Sequence, residues 1–312
     1  MFGFDAALIS DVLASSVRLG TPIAFAALGG VFAERSGTYN VALEGGMLSG
    51  ALGAASGVFI TGSVFAGLIC GLICGMLTGL LLGGLVIKLR VNQLVAGLAV
   101  NILVAGLTAF GARLVFGDMA GGARVEGFST MEIPGLSSLP VIGSAFFMQD
   151  PLFYLLVVVG GLSWWWLFRS NAGLDFRAVG ENPRAADVAG VRVFRMKYVA
   201  LAISGALAAL GGMHLVLSQV YVFTEGMSAG KGFIALAAII LGRWSPAGAI
   251  AAALLFGFFD AVQFKLQFSN PDVPYQLFLI LPYVASLAAL IFLVGKTRAP
   301  ASVGTAYIRE QR

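Results

Sequence analysis

One histidine, His214, and two cysteines, Cys70 and Cys74, are all the imidazole and thiol that 312 residues offer. A lone histidine inside an apolar run, with no metal-ligand spacing around it, supplies neither a metal cage nor an acid–base pair. It reads as a hydrogen-bonding packing residue. The cysteines stand one helical turn apart in an apolar stretch, without a partner histidine or carboxylate, and read as small core residues. Charge is equally scarce: only 11% of residues are Asp, Glu, Lys or Arg, against about 25% in soluble domains. Few ionisable groups fall deep in the apolar runs, which weakens any mechanism driven by proton or sodium binding. The glycine-rich stretch Gly226-Met227-Ser228-Ala229-Gly230-Lys231-Gly232 fails as a phosphate loop. Only three residues separate Gly226 from Gly230, and Gly232 stands where Ser or Thr should hold magnesium. These absences argue against bond chemistry in the chain and against a cofactor of its own.

Apolar surface is what the sequence has in excess. Hydrophobic residues make up 59% of the chain and glycine contributes 42 residues, a combination that in a bilayer means helices packed backbone to backbone. Counting apolar runs of about 20 residues, long enough for a ~30 Å hydrocarbon layer, gives nine candidate spans. They cover 9–32, 42–61, 64–87, 94–116, 152–168, 198–220, 226–242, 247–264 and 277–295. The expected fold is therefore all-α: a polytopic membrane protein of about nine transmembrane helices. One transmembrane domain would occupy 1–312, with a first repeat over 9–116, an external loop over 117–150 and a linking helix over 152–168. A cytoplasmic loop over 169–197, a second repeat over 198–295 and a tail over 296–312 complete it.

Charge distribution orients the spans. The loop 169–197 holds Arg169, Arg177, Arg184, Arg192, Arg195 and Lys197 against Asp175, Glu181 and Asp187, which by the positive-inside rule places it in the cytoplasm. Alternation then puts Lys88, Arg90, Glu34 and Arg35 inside and the N-terminus outside. The tail with Lys296, Arg298, Arg309 and Arg312 returns to the inside. The segment 117–150, with Asp118, Glu126, Glu132 and Asp150 against Arg124 alone, suits an outer face. The formal charge of +4 follows from this loop bias and not from nucleic-acid binding. Met1 to Ser10 contain Asp5 and no Lys or Arg, so they lack the basic start of a cleavable signal peptide. Trp164, Trp165, Trp166 and Trp244 all fall at inner ends of spans, as interfacial rings do.

Within the basic loop, Ala178 to Gly190 carries the signals of a short helix. Asn182 can accept the early amide hydrogens, Pro183 fits the first helical position, and Gly190 can turn left-handed past the last turn. A capped helix of about two turns, roughly 10 Å long, kept on the surface of a membrane protein is a docking element. Ala26-Ala27-Leu28-Gly29-Gly30 recurs as Ala208-Ala209-Leu210-Gly211-Gly212, and Glu44-Gly45 follows the first copy much as Glu225-Gly226 follows the second. With the topology above the halves become inverted repeats. Gly67, Gly71, Gly75, Gly79 and Gly83 clear a strip along the third span, expected to bury that helix in the bundle or, alternatively, to line a conduit.

Glu44 and Glu225 lie where spans begin, near Asn40 and Lys231. Each carboxylate either caps a helix N-terminus at the headgroup level or marks a broken helix beside a water-filled path. The seventh span favours breakage, since its apolar part, Phe233 to Leu241, is short. Asn101, in the middle of the fourth span, either glues helices or hydrogen-bonds a solute. Asn40, Glu44, Asn101, Glu225, Ser228 and Lys231 are the candidates for a translocation path. Asp260 and Lys265 read as interfacial or paired.

Three stretches carry a family resemblance: Glu34-Arg35-Ser36-Gly37-Thr38-Tyr39-Asn40-Val41-Ala42-Leu43-Glu44-Gly45, the Gly180 to Gly190 loop helix, and Ser228 to Gly242 running into Ser245-Pro246. The chain resembles the integral-membrane permease subunits of bacterial ABC importers in the branched-chain amino acid, ribose and nucleoside group. It is most similar to the nucleoside or simple-sugar branch. The resemblance implies that the loop helix inserts into a separate ATP-binding subunit, with Gly180, Glu181, Asn182, Pro183, Arg184, Ala186 and Gly190 as coupling residues and ATP and magnesium in that partner. It also implies a second permease subunit, usually an unlike homologue, and a periplasmic or lipoprotein solute-binding protein at a bacterial inner membrane. The family's fold often has ten spans, of which this chain is expected to lack the first. The expected function is ATP-driven import of a small polar solute, nucleosides first, with pentoses, other simple sugars or branched-chain amino acids as alternatives. The competing expectation is a stand-alone secondary transporter or channel.

Overall fold

The computed structural model describes residues 6–119, 123–137, 139, 142–269, 273–282, 284, 287, 288, 291 and 299–309. The first half contains α1 (Ala6–Arg35), α2 (Leu43–Thr61), α3 (Val64–Gly83), which runs on as a π-helical turn over Gly84–Lys88, and α4 (Gln93–Phe116). A segment with a short α5 (Ile142–Phe146) leads to α6 (Pro151–Arg169), α7 (Asn171–Glu181) and α8 (Pro183–Val188). The second half contains α9 (Val193–His214), prolonged by π-helical Leu215–Val220, then α10 (Lys231–Leu241), α11 (Pro246–Ser269) and α12 (Tyr275–Leu279). Two strands, β1 (Met131–Glu132) and β2 (Met148–Gln149), form a small antiparallel ladder in the 117–150 segment, a local exception to an otherwise helical fold.

Among the described residues seven helices are long and apolar enough to cross a membrane, not nine. The expected seventh span, 226–242, is only the eleven-residue α10, because Gly226, Ala229 and Gly230 all take positive φ and break the chain before Lys231. The expected ninth span, 277–295, is described continuously only over 277–282, where α12 ends at Leu279; of the rest only 284, 287, 288 and 291 fall among the described residues. The helix α7 is an element that loop composition did not suggest. Ser170 caps it, its Oγ accepting from the Gly173 amide at 3.0 Å, and it buries Phe176, Val179 and Gly180 at helical spacing.

The two halves pack as inverted copies. A Cβ added to Gly29 would come within 2.6 Å of the Ser204 carbonyl oxygen, and one added to Gly211 within 2.5 Å of the Pro22 carbonyl oxygen. The contacts exchange when Ala26–Gly30 is laid on Ala208–Gly212. The α1 helix lies against α11 and α10, and α9 correspondingly against α3 and α2. Such close backbone approach is what glycine permits and any larger residue prevents.

The α3 glycines face α2 and α9: Gly71 meets the Met213 thioether and the Gly50 carbonyl, and Gly75 meets Ala209 and the Gly205 carbonyl. On its other side Phe65, Ile69, Ile73, Leu77 and Leu81 are exposed, so α3 is a peripheral helix with one packed face. Its strip is filled by neighbouring backbone and is not a conduit. Gly75→Val should cost about 1–3 kcal/mol or more by overpacking, read as a lowered unfolding midpoint in detergent. Cys70 is exposed and Cys74 half-buried, beside Gly53 and Gly57 at the same seam. They are therefore seam residues, not core. The tryptophans also divide: Trp164 and Trp165 are exposed and Trp244 is buried, its indole donating to the buried Glu34 carboxylate. Trp166 packs on Phe32 and Phe176.

Candidate functional site

Three places gather the polar residues of this apolar molecule. The first is where segment 36–42 leaves α1 and turns back into the bundle, with Gly37 at φ +79. Because α2 begins inside the protein, its first amides and those of α10 need partners from other helices. Glu44 supplies them for α10. Its Oε1 accepts from the Ser228 hydroxyl at 2.6 Å and the Gly230 amide at 2.8 Å, and its Oε2 accepts from the Gly232 amide at 2.7 Å. A carboxylate of one repeat thus sits on the positive end of a broken helix in the other. Eleven residues of α10 span about 16 Å at 1.5 Å per residue, roughly half of a ~30 Å hydrocarbon layer. The node therefore lies about 16 Å along α10 from the end that adjoins Arg243.

Asn101 of α4 accepts from the Gly45 amide at 2.8 Å and donates to the Val41 carbonyl at 2.9 Å. Asn40 donates to the Ser204 hydroxyl of α9 at 2.7 Å and accepts from the Ala42 amide at 2.9 Å. Gly232 has no room for a side chain, since a Cβ there would strike the backbone of Glu44. Asn40, Glu44, Asn101 and Ser228 are thus brought together, and Lys231 stands at the rim, interacting electrostatically with Asp260 of α11. Glu225 is not there. It pairs with Arg113 near the far end of α4 at 3.3 Å, both side chains largely exposed. The likeness of Glu44-Gly45 to Glu225-Gly226 matched letters and not helix starts: α10 begins at Lys231, so Gly232 holds the second helical position that Glu44 holds in α2.

The second place is at the opposite end of α10, among the arginines. Asn182 caps α8, its Oδ1 accepting from the Ala185 amide at 3.1 Å, and Pro183 occupies the first helical position. Gly190 follows at φ +88. Ala186 is the buried face of α8, packed with Val179 and Val193, whereas Val188 is 80% exposed. Gly180 of α7 lies directly on the Arg35 carbonyl and the Gly37 amide. The buried Lys197 ammonium donates to the Gly37 carbonyl at 3.0 Å. Glu181 accepts from the Ala301 amide at 3.3 Å. Gln93, which with Asn92 reads from the sequence as interfacial, is instead buried and bonds the Tyr39 amide and the Thr305 carbonyl, while Lys197, Ser302 and Tyr307, not singled out as site residues, tie Gly37, α7 and α8 together. Only Gly37, within a Ser-Gly-Thr turn, carried a local signal.

At the far end, buried His214 bonds Asp150 at 2.9 Å, and Ser218 donates to the same carboxylate at 3.0 Å. Burial alone would raise the Asp150 carboxyl, but the hydrogen bond and charge of His214, with Ser218 and the Leu152 amide, hold it below the ordinary carboxylate value. His214 is therefore a structural tie between α9 and the start of α6.

A helical membrane bundle of inverted repeats, in which a carboxylate of one repeat caps a broken helix of the other, and a capped helix held out from its basic end, is the architecture of a transporter's membrane subunit. The chain belongs to the family of branched-chain amino acid transport system permease components, whose profile matches residues 12–294; it is an ABC transporter permease. The guanosine ABC transporter permease protein NupQ of Bacillus subtilis is 35% identical over 316 residues, covering 98% of each chain. The nucleoside ABC transporter permease protein NupC of Lactococcus lactis is 34% identical over 312 residues, covering 96% of this chain and 97% of that one. TsgC13 of Haloferax volcanii, which carries glucose in its name, is 33% identical over 328 residues, covering 96% and 98%.

Proposed function

We propose that this chain forms one transmembrane half of an ATP-driven nucleoside importer and docks a separate ATPase through α8. The observation that carries the reading is α8 itself. It is capped at both ends, anchored on one face by Ala186, and presents Val188 at 80% exposure to solvent in a region dense with arginine. An apolar side chain held out on a short, pre-ordered helix is suited to insertion into a partner's groove. The arginine-rich end faces the cytoplasm by the positive-inside rule, which sets the N-terminus outside and the C-terminus inside.

ATP and magnesium are handled by the partner, and this chain supplies no bond-making group. A second, homologous permease subunit completes the path and a solute-binding protein delivers the solute from outside. Closure of the ATPases moves α8 and α7. Gly180, lying on segment 36–42, passes the motion to Asn40, Asn101 and Glu44, where the broken helices of the two repeats meet. A bistable joint biased by a distant ligand is the physical content of alternating access here. Nucleosides are the favoured solute because NupQ and NupC carry guanosine and nucleoside in their names over nearly full-length matches. Sugars remain the competing class through TsgC13.

The test is uptake of labelled guanosine and of pentoses into vesicles holding the chain alone or the full assembly. Import of guanosine requiring the ATPase and ATP is the expected result. Uptake by the chain alone would mark a self-sufficient transporter and sink the proposal.

A further inference from the structure

The segment 299–309 runs back across the end of the bundle and touches α7, α8, the start of α9 and the start of α4. At one end Ser302 donates its amide and its hydroxyl to the Gly180 carbonyl, at 2.9 and 2.6 Å, next to the bond from the Ala301 amide to Glu181. At the other, the Tyr307 hydroxyl donates to Asp187 of α8 at 2.9 Å and Arg309 pairs with the same carboxylate at 3.0 Å. The Tyr307 ring packs on Phe194 at the start of α9, with centroids 5.5 Å apart. Between these anchors the Thr305 carbonyl accepts from Gln93 of α4 at 3.4 Å. The same Gln93 accepts from the Tyr39 amide at 2.6 Å, inside the segment that leads to Glu44.

From this geometry we infer that Ser302 to Arg309 form a strap that makes α7, α8 and segment 36–42 move as one lever. Without it, α8 is attached to the membrane helices through the Gly180 joint and the small cluster around Ala186. The Gly180 contact alone touches segment 36–42 only at Gly37, so it would pass on only part of a tilt of α8 to Tyr39 and Glu44. The strap ties the far end of α8, at Asp187, to the base of α4, so tilting α8 must pull on Gln93. The underside of the strap is only partly packed: Tyr307 lies against the Val179, Ala186 and Val193 cluster, and beside it the packing is incomplete. A cavity of about 10 Å³ lies there, large enough for about one water. It is lined by polar side chains, among them Thr38, Gln93 and Lys197, and by the apolar Val86, Ile87 and Phe194, and the buried Thr38 hydroxyl has no hydrogen-bond partner among the described residues. Tyr307, Arg309 and Ser302 are positioning residues in this account, since they touch neither solute nor nucleotide.

The inference rests on the docking of an ATPase at α8, so the experiment reads docking and transmission separately. The full importer is assembled in vesicles with Cys70 and Cys74 changed to alanine and with Ala189→Cys on the exposed side of α8 as a cross-linking probe for the ATPase. Uptake and ATP hydrolysis are measured together. In Tyr307→Phe combined with Arg309→Gln, which frees Asp187 but keeps the ring on Phe194, cross-linking and hydrolysis should stay within about twofold while solute moved per ATP falls about tenfold. Arg309→Lys with Tyr307 intact should restore it. Unchanged transport per ATP, with the cross-link present, overturns the strap and leaves the docking reading standing. So does an equal fall of hydrolysis, uptake and cross-linking, which would make the segment a structural brace. Absence of the cross-link without any strap substitution overturns both.

Discussion

Glu44→Ala should be the most damaging single substitution in the membrane interior, costing about 3–5 kcal/mol of stability and nearly all transport. The carboxylate is buried and receives the Ser228 hydroxyl and the amides of Gly230 and Gly232. Removing it leaves three donors unpaired at the start of α10, where both Glu44 and Ser228 are buried. Each buried unsatisfied donor costs about 1–3 kcal/mol, offset in part because the charge no longer has to be kept from water. Glu44→Gln separates charge from shape. It keeps one acceptor oxygen but turns a donor NH2 toward either the Gly232 amide or the Ser228–Gly230 pair, so it should fall between wild type and alanine. Glu44→Asp is too short to reach both sides. Unfolding midpoints in detergent and uptake in vesicles order the series. An alanine variant that melts and transports like wild type would show that the repeats are held together elsewhere.

The same residue shows how far a sequence can be read and where reading stops. Glu44 stood out because a carboxylate beside glycine at a span boundary is rare and expensive in an apolar chain. Its partner did not stand out, because a helix start is a three-dimensional fact. The matching letters at Glu225 lay before the positive-φ turns at Gly226, Ala229 and Gly230, and α10 begins only after them. The surface helix was legible to its caps, since Asn182, Pro183 and Gly190 act through backbone geometry within a few residues of themselves. The central crossing of α1 and α9 was legible as a repeated Ala-Ala-Leu-Gly-Gly, because close backbone approach demands the same small residues in both copies. The strap was invisible. Ser302 and Tyr307 have no local signature, and their bonds to Gly180 and Asp187 span more than a hundred residues. For α3 the periodicity gave the packed face correctly, but not that the opposite face would be exposed. Hydrophobicity marks lipid-facing and protein-facing side chains alike when both solvents are apolar.

Val188→Asp should abolish ATP-driven uptake while leaving the isolated chain folded and in the membrane. Val188 is 80% exposed, so a polar replacement removes little contact from the chain's own core, and surface changes of this kind shift stability by within about 0.5 kcal/mol. An apolar knob in a docking groove behaves differently. Desolvating a new carboxylate against the partner costs about 2 kcal/mol or more, or about thirtyfold in affinity, and the lever would lose its grip. Replacements at Pro183 and Arg184 should also stop uptake, but with less discrimination. Pro183 sets the first turn of α8 and Arg184 borders the cleft shared with the 299–309 segment, so their loss also disturbs the helix from within. The informative comparison is Val188→Asp against Val188→Leu, which keeps the apolar knob and should retain uptake within about threefold. Copurification of the ATPase with each variant reads docking directly. Wild-type uptake by Val188→Asp, with the ATPase still bound, would mean that the engine grips the subunit at some surface other than α8.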